Sequence, residues 1–399
     1  MSDPLTPFRI PPTDAFAPPN APGDDLTPVE RGLVAQRLAA LQPTSPIEIE
    51  RQIVARGYRG QDHARRAGAV LAYRHLARLR RHFLEGVPAD RLPSRENYLF
   101  LGATGSGKTY LVELLFRDIL QVPTVVADVT RCSETGYVGD DVQMLLSQLY
   151  EAAGQDRGWA SCGVICLDEF DKLAASRSNA RFAGEGTTKD VSGFGVQRGL
   201  LTLLSGRSSP FPTDFGFSGH GARKILPLQH VMFIAAGAFS GLKDVAALSR
   251  TEGGIGFGAP ARPAPDGALV AAIGSDLLEN TRAFSDYGIL PELVGRFSRL
   301  VAFQPLDAAV LRQILEENLL SAYRHEFSHD GVALDIDEAV IDHIVQAAHR
   351  RETGARGLRA SLVPHLEEAA FRTFGQGGSA RVRIGLEHGT IVLHTEAAA

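Results

Sequence analysis

The sequence predicts an α/β fold, a parallel sheet flanked by helices, followed by a smaller α+β domain at the C-terminus. Two observations carry this. Apolar runs of strand length, Tyr98 to Gly102, Thr124 to Val129, Gly163 to Leu167, His230 to Ala236 and Leu300 to Phe303, alternate with helical stretches, which is the rhythm of parallel strands joined by crossover helices. After Pro305 that rhythm is lost: helices follow one another, and short strand-like runs close the chain.

Taken in order, residues 1 to 45 hold prolines at positions 4, 7, 11, 12, 18, 19, 22, 28 and 43. Proline removes backbone donors and fixes φ, so this segment reads as a flexible arm with one short helix near Val34 to Leu41. From Ile47 to Phe83 the pattern turns helical, with Val70, Leu71, His75, Leu76 and Leu79 on one side and arginines on the other. That is a packed helix with a solvated basic face rather than a grip for nucleic acid. The strand-like runs then complete a large unit, residues 46 to 305. In a smaller unit, residues 306 to 399, Asp307 is placed to cap a helix from Ala308 to about Phe327, and Asp337 a second one to Arg351. A third helix follows Gly357, and Ala380 to Ile384 and Thr390 to His394 read as strands. No repeat of fixed period occurs, which sets solenoids and propellers aside.

The composition bounds the function. With 399 residues, 44% hydrophobic and 22% charged, the chain is globular and long enough for two or three domains. Lys plus Arg is 41 against Asp plus Glu at 46, so no global basic field exists for nucleic acid or anionic membrane. Apolar runs such as Val231 to Phe239 reach about half of the roughly 18 residues that cross a bilayer. The start, MSDPLTPFRIPP, carries no apolar signal core, so the cytoplasm is the expected location. Cys132, Cys162 and Cys166 lack the paired spacing of a zinc knuckle and read as buried structural thiols.

The chemistry begins where the first strand ends. Gly102-Ala103-Thr104-Gly105-Ser106-Gly107-Lys108-Thr109 follows Tyr98-Leu99-Phe100-Leu101 and opens a helical run, which is GxxxxGK[ST] in the strand-to-helix setting its mechanism needs. Glycines let backbone N–H groups wrap phosphates, the helix N-terminus adds positive potential, Lys108 reaches the β and γ phosphates, and the Thr109 hydroxyl takes magnesium. Lysine occurs only at 108, 172, 189, 224 and 243, which makes a chance match rare. Further on, Val164-Ile165-Cys166-Leu167-Asp168-Glu169 is a buried strand ending in two acids. The first fits the surroundings of a magnesium ion, and the second sits where a base would polarise an attacking water.

With these residues in view, the chain resembles the AAA+ unfoldases of the Clp/Hsp100 class, the ClpX-like members above all, from about Thr44 to Phe374. The matching stretches are GATGSGKT at 102 to 109, GYVGDDV at 136 to 142, LDEFDK at 167 to 172, KDVSGFGVQRGLL at 189 to 201, GIGFGA at 254 to 259, LPELVGRF at 290 to 297 and TGARGLR at 353 to 359. The resemblance implies an AAA+ P-loop NTPase large domain and a small α+β C-terminal domain, with ATP and Mg2+ as cofactors. It implies that Asp168 and Glu169 form the Walker B pair. Arg296 matches the arginine finger offered to a neighbouring subunit's ATP, where positive charge supplied in trans ties hydrolysis to assembly. Arg356 matches the sensor-2 arginine, with Arg359 its nearby competitor, and Tyr58 stands beside the adenine position.

Two loops bear on partners. Gly136-Tyr137-Val138-Gly139 sets an apolar tip between glycines in a polar stretch, read either as an exposed loop or as a tyrosine packed beneath a turn. The resemblance implies that this loop lines a central pore and that Tyr137 and Val138 grip a translocating polypeptide. A second polar, glycine-rich stretch, Ser176 to Gly193, matches the second pore loop, with Arg177, Arg181 and Lys189 as contacts. Gly254-Ile255-Gly256-Phe257-Gly258 offers large apolar side chains among glycines, either to a partner's pocket or tucked under the prolines that follow. The resemblance implies docking of Ile255, Gly256 and Phe257 on a ClpP-type peptidase barrel.

Departures from the pattern are equally legible. The arm carries no cysteine, so the family's four-cysteine N-terminal zinc domain is not expected. Arg223-Lys224 lacks the histidine of the family's Arg-Lys-His pore-entrance loop, and Ala235-Ala236-Gly237-Ala238 lacks a polar sensor-1 side chain. Tyr58-Arg59-Gly60-Gln61 stands where the family has a β-branched, apolar Ile-Gly pair by the adenine, with Arg59 placed to stack on the base instead. The expected function is an ATP-driven, ring-forming, six-membered homo-oligomer that threads polypeptide through a pore and feeds a ClpP-type peptidase, without nucleic acid or membrane as partner. A protease-independent remodelling chaperone is the alternative, and a nucleotide-regulated scaffold with little hydrolysis is a third reading.

Overall fold

The computed structural model describes residues 26–42, 44–132, 142–174, 192–213, 223–242, 281–375 and 380–397. Strands β1 (Tyr98–Leu101), β2 (Thr124–Asp128), β3 (Val164–Asp168), β6 (Met232–Gly237) and β7 (Arg299–Ala302) form one sheet in the order β2-β3-β6-β1-β7. Every neighbouring pair in it is parallel. β1, YLFL, is buried along its whole length, as a parallel strand covered on both faces requires. An antiparallel ribbon of β4 (Ser208–Pro212) and β5 (Arg223–Pro227) stands apart from this sheet and was not anticipated from sequence.

The helices preceding β1 are α1 (Pro28–Ala40), α2 (Pro46–Ala55) and α3 (Asp62–Phe83). α1 corrects the arm reading from residue 26 on, residues 1–25 lying outside the described residues: the helix begins well before Val34, and its buried residues join the large core. Thr27 and Glu30 form a reciprocal capping box that starts it. Leu26, Val34 and Leu38 are buried, so the prolines that suggest an arm sit at its N1 position and beyond its ends, where proline is tolerated. A buried-edge ion pair fastens it: Arg157 Nε and Nη2 donate to Glu30 at 2.8 and 2.7 Å. The helical pattern from Ile47 to Phe83 is two helices, broken at Tyr58-Arg59-Gly60-Gln61.

α4 (Lys108–Val112) continues through a wider, π-type stretch, Glu113–Ile119. α5 (Met144–Ala152), α6 (Arg157–Ala160), α7 (Ser192–Ser205), α8 (Thr281–Tyr287) and α9 (Pro291–Val294) are the further helices of the large core among the described residues. A second core begins at Leu306. Here α10 (Ala308–Gln313) runs through another π-type stretch, Ile314–Leu320, into α11 (Ser321–His329), followed by β8 (Val332–Ile336), α12 (Glu338–Arg350), α13 (Gly354–Thr373), β9 (Ala380–Glu387) and β10 (Thr390–Ala397). β8 was missed from sequence; it pairs parallel with β9, which pairs antiparallel with β10.

Of the two expected caps, Asp307 accepts from Val310 N at 2.7 Å. Asp337 does not cap; its carboxylate binds Arg383 at 2.9 Å instead. The helix expected after Gly357 starts at Gly354. Cys162 and Cys166 are buried, whereas Cys132 is half-buried, at the end of a short turn on the surface of the core. Among the described residues no helix is long and apolar enough to cross a membrane.

Candidate functional site

β1 lies between β6 and β7, so its carboxyl end delivers the phosphate loop into the crevice above the sheet, where ligands of open α/β sheets bind. The neighbouring strands complete the floor. Asp168 and Glu169 come from the end of β3, and Gly237 and Ala238 from the end of β6. Thr109 Oγ1 donates to Asp168 Oδ2 at 2.9 Å, and Asp168 Oδ1 accepts from Glu169 N at 2.9 Å. Glu169 has φ +55°, a left-handed conformation that a non-glycine residue keeps only where its surroundings dictate it. The turn it makes aims the carboxylate away from the strand and into the cleft.

Lys108 is buried, and its ammonium donates to Gly102 O at 2.6 Å and Ala103 O at 3.0 Å. Burial lowers its pKa, opposed by the nearby Asp168, Asp171 and Glu169. The Ser106 hydroxyl is buried within the loop and has no hydrogen-bond partner among the described residues, a group that wants an acceptor. A buried orphan hydroxyl, an ammonium folded back on its own loop and a helix N-terminus at Lys108 together suit a polyphosphate. The residues fit a nucleoside triphosphate.

The other wall belongs to the second core. The cleft, about 910 Å³, is lined by Thr104 to Thr109, Tyr58, Asp168 and Glu169 from the first, and by Asn318, Arg356 and Arg359 from the second. At the phosphate loop the two meet backbone to backbone: Ala355 N donates to Gly105 O at 3.2 Å. Gly105 has φ +79°, and a Cβ there would stand 2.4 Å from Thr353 O. This glycine of the phosphate loop thus serves a close approach as well as a turn.

Tyr58, expected beside the base, is buried under the loop; its hydroxyl donates to Gly107 O at 3.2 Å and its ring stacks on Tyr110 at 5.8 Å. Burial raises its pKa. Arg59, placed by sequence to stack on the base, is committed elsewhere: its Nε donates to Glu317 at 2.7 Å and its Nη1 to Val54 O at 2.6 Å. Beside that pair Asn318 Nδ2 donates to Gly57 O at 2.7 Å. Glu317 as acceptor and Asn318 as donor both lie on the π-type stretch Ile314–Leu320, which sets the two against the turn before α3.

Arg296 is exposed and lies outside the cleft of its own chain, in the turn between α9 and β7. Its neighbour Phe297 is buried and meets Phe170, the residue after Glu169, edge to face at 5.6 Å. Gln197 of α7, fully buried, donates to Leu173 O and Gly288 O and accepts from Leu290 N at 2.7 Å, tying the connection between α8 and α9 to the short helical turn that follows Glu169. Arg356 and Arg359 both face the cleft, so geometry brings together both candidates for one role. Tyr137, Val138, Ile255, Gly256 and Phe257, with the stretch 176 to 191, lie outside the described residues.

Sequence reasoning missed several residues here. Gln61 bridges Ser106 O at 3.3 Å and Gln304 O at 2.6 Å, and only its place before a helix hinted at it. Buried Asp171 accepts from Ala238 N at 3.1 Å, so the position without a polar sensor-1 side chain is tied by backbone to the LDEFDK turn. Lys224 of the Arg-Lys pair is turned onto Tyr150, 2.6 Å from its hydroxyl and 4.7 Å above its ring.

Comparison with known proteins agrees with this site. Residues 98–259 match the family described as ATPase family associated with various cellular activities. Residues 306–380 match the C-terminal, D2-small domain of ClpB protein. An ATP-dependent Clp protease ATP-binding subunit ClpX of Azotobacter vinelandii is 35% identical over 353 residues, covering 84% of this chain and 76% of its own. ClpX 3 of Methylococcus capsulatus is 36% identical over 320 residues, 77% of this chain and 71% of its own. ClpX of Porphyromonas gingivalis is 33% identical over 320 residues, 78% and 74% of the two chains. The phosphate loop on β1, the paired acids on β3 and the second core that closes the cleft are thus those of an ATPase, and the chain belongs to the ClpX family of AAA ATPases.

Proposed function

We propose that this chain is the ATP-driven motor of a cytoplasmic Clp-type protease, assembling as a hexameric ring whose pore loops pull polypeptide through a central channel into a ClpP-type peptidase. Residues 46–305, with α1 packed on them, form the large nucleotide-binding domain and 306–399 the small one. The observation that carries the reading is the cleft itself: it is walled by both units, while Arg296 stands outside it. A site closed by two bodies changes their angle when its contents change, which converts hydrolysis into motion.

In this reading Gly102 to Gly107 wrap the phosphates with backbone N–H groups, and Lys108 exchanges its loop carbonyls for the β and γ phosphates. Thr109 and Asp168, already 2.9 Å apart, would hold Mg2+, which would supply positive charge to the phosphates. Glu169 takes a proton from the attacking water. Arg356 reads the nucleotide from the small domain, and Arg296 enters a neighbouring subunit's site, making turnover depend on assembly. Tyr137 and Val138 grip substrate, and Ile255, Gly256 and Phe257 dock the peptidase.

The test is binding of the Glu169→Gln protein, in ATP, to a ClpP-type barrel, alongside the same protein with Phe257→Ala. Binding lost with the Phe257 change is the expected result. No binding in either case would point to a remodelling chaperone without a protease. Tyr137→Ala is expected to keep ATP hydrolysis and lose unfolding of a tagged fluorescent substrate; normal unfolding would remove the pore-loop assignment.

A further inference from the structure

The turn that carries Arg296 has little secondary structure of its own, lying between the last residue of α9 and the first of β7. Its anchor is a residue far away in sequence. Asn97, only 4% exposed, immediately precedes β1. Its Nδ2 donates to the carbonyl of Arg296 at 3.1 Å, and its Oδ1 accepts from Phe233 N of β6 at 3.1 Å. Its own carbonyl accepts from Ser298 N at 2.8 Å and from Ser298 Oγ at 3.1 Å. The amide orientation follows from this network, because Phe233 N–H requires the oxygen, leaving the NH2 for Arg296.

We infer that Asn97 is the positioning residue for Arg296. The inference rests on the reading of Arg296 as a finger acting on a neighbour's nucleotide. Such a group must reach its target within a fraction of an ångström, and a long side chain amplifies any rotation of the peptide that bears it. The peptides on either side of Arg296 are held by three bonds: its N–H donates to Leu293 O at 3.1 Å, Phe297 N–H donates to Val294 O at 3.0 Å, and the Arg296 C=O accepts from Asn97 at 3.1 Å. Without the last, the peptide following Arg296 is held on its N–H side alone, by a bond within the same turn, and loses its tie to the buried sheet. Asn97 also refers the finger to its own chain's nucleotide site, since β1 runs straight from Asn97 to Gly102 with β7 in register beside it, Tyr98 opposite Arg299. Arg296 and the phosphate loop therefore hang from opposite ends of one buried strand.

The test uses the full chain carrying Asn97→Ala or Asn97→Asp. The aspartate keeps the shape and the acceptor for Phe233 N, and loses only the donor to Arg296. We expect affinity for a fluorescent ATP analogue to stay within about twofold while turnover falls about a hundredfold, the scale of an ångström's misplacement of a catalytic group. Mixing with the inactive Glu169→Gln chain should then restore turnover at the Asn97-variant sites, because intact fingers from the partner serve them; a merely structural defect would not be repaired in this way. Unchanged turnover, or a loss that mixing fails to restore while it restores Arg296→Ala, would overturn the assignment. Full turnover by Arg296→Ala alone would instead remove the finger reading on which it rests.

Discussion

Gly354→Ala changes no atom of the phosphate loop, yet the structure requires it to weaken nucleotide binding. Gly354 has φ +58°, and a Cβ there would lie 2.5 Å from Gly105 O, 2.7 Å from its carbonyl carbon and 3.1 Å from its Cα. All three are backbone atoms, so no rotamer change relieves the contact. Either α13 moves off the loop by about an ångström or the alanine leaves the left-handed region, which it occupies at a cost of roughly 1–2 kcal/mol. Moving also forfeits the Ala355 N–H to Gly105 O hydrogen bond, about 1 kcal/mol more. The total, about 2–3 kcal/mol, corresponds to a loss of roughly 30- to 150-fold in affinity if nucleotide binding needs the closed arrangement. Titration calorimetry with a slowly hydrolysed ATP analogue, on protein shown to be folded by circular dichroism, measures it directly. An affinity within about twofold of the parent's would refute the argument that the first turn of α13 must rest on Gly105 for the site to form.

Other expectations follow from single groups. Glu169→Gln should bind ATP normally and lower phosphate release by about 10²–10⁴, the contribution of a general base; undiminished release would place the base elsewhere. Leu38→Ala empties a fully buried position on α1 and should destabilise the chain by about 2–5 kcal/mol in denaturant unfolding, whereas an unchanged midpoint would return α1 to the status of an arm. Glu30 is held from 4.5 down to about 2, chiefly by its hydrogen bond from Arg157. A lowered pKa adds stability above the unfolded value and loses it as pH falls toward the folded one. The parent should therefore exceed Glu30→Gln in thermal midpoint at pH 6, and the difference should fade between about pH 4.5 and 2; a constant difference would mean that the carboxylate charge is not the source.

Some of this protein was written locally and some was not. Each strand of the parallel sheet could be read because a strand covered on both faces needs an unbroken apolar run, as in YLFL and VICLD. The strands β4, β5 and β8 could not, because SSPFP, RKILP and VALDI bury only alternate or terminal residues and carry no such run. α1 was misjudged since proline density argues for an arm by composition, while what holds the helix, the Glu30–Arg157 pair and the burial of Leu38, depends on residues distant in sequence. The helix after Asp337 started where expected but without the expected cap, because Arg383, brought alongside by β9, competes for the carboxylate.

The site divides the same way. GATGSGKT and LDEFDK specified their chemistry from residue type and spacing, since phosphate wrapping and acid catalysis demand those groups wherever the chain goes. What the sequence could not contain was the company they keep: that Gly105 touches Gly354, that Arg59 closes on Glu317 rather than a base, and that Asn97 holds Arg296 from a distance of 199 residues. Local chemistry is decided by which side chains a segment carries, and those can be read in order. Contacts between distant segments are decided by how helices and strands pack, and one glycine, one π-type turn or one buried amide settles them only once the fold has brought its partner near.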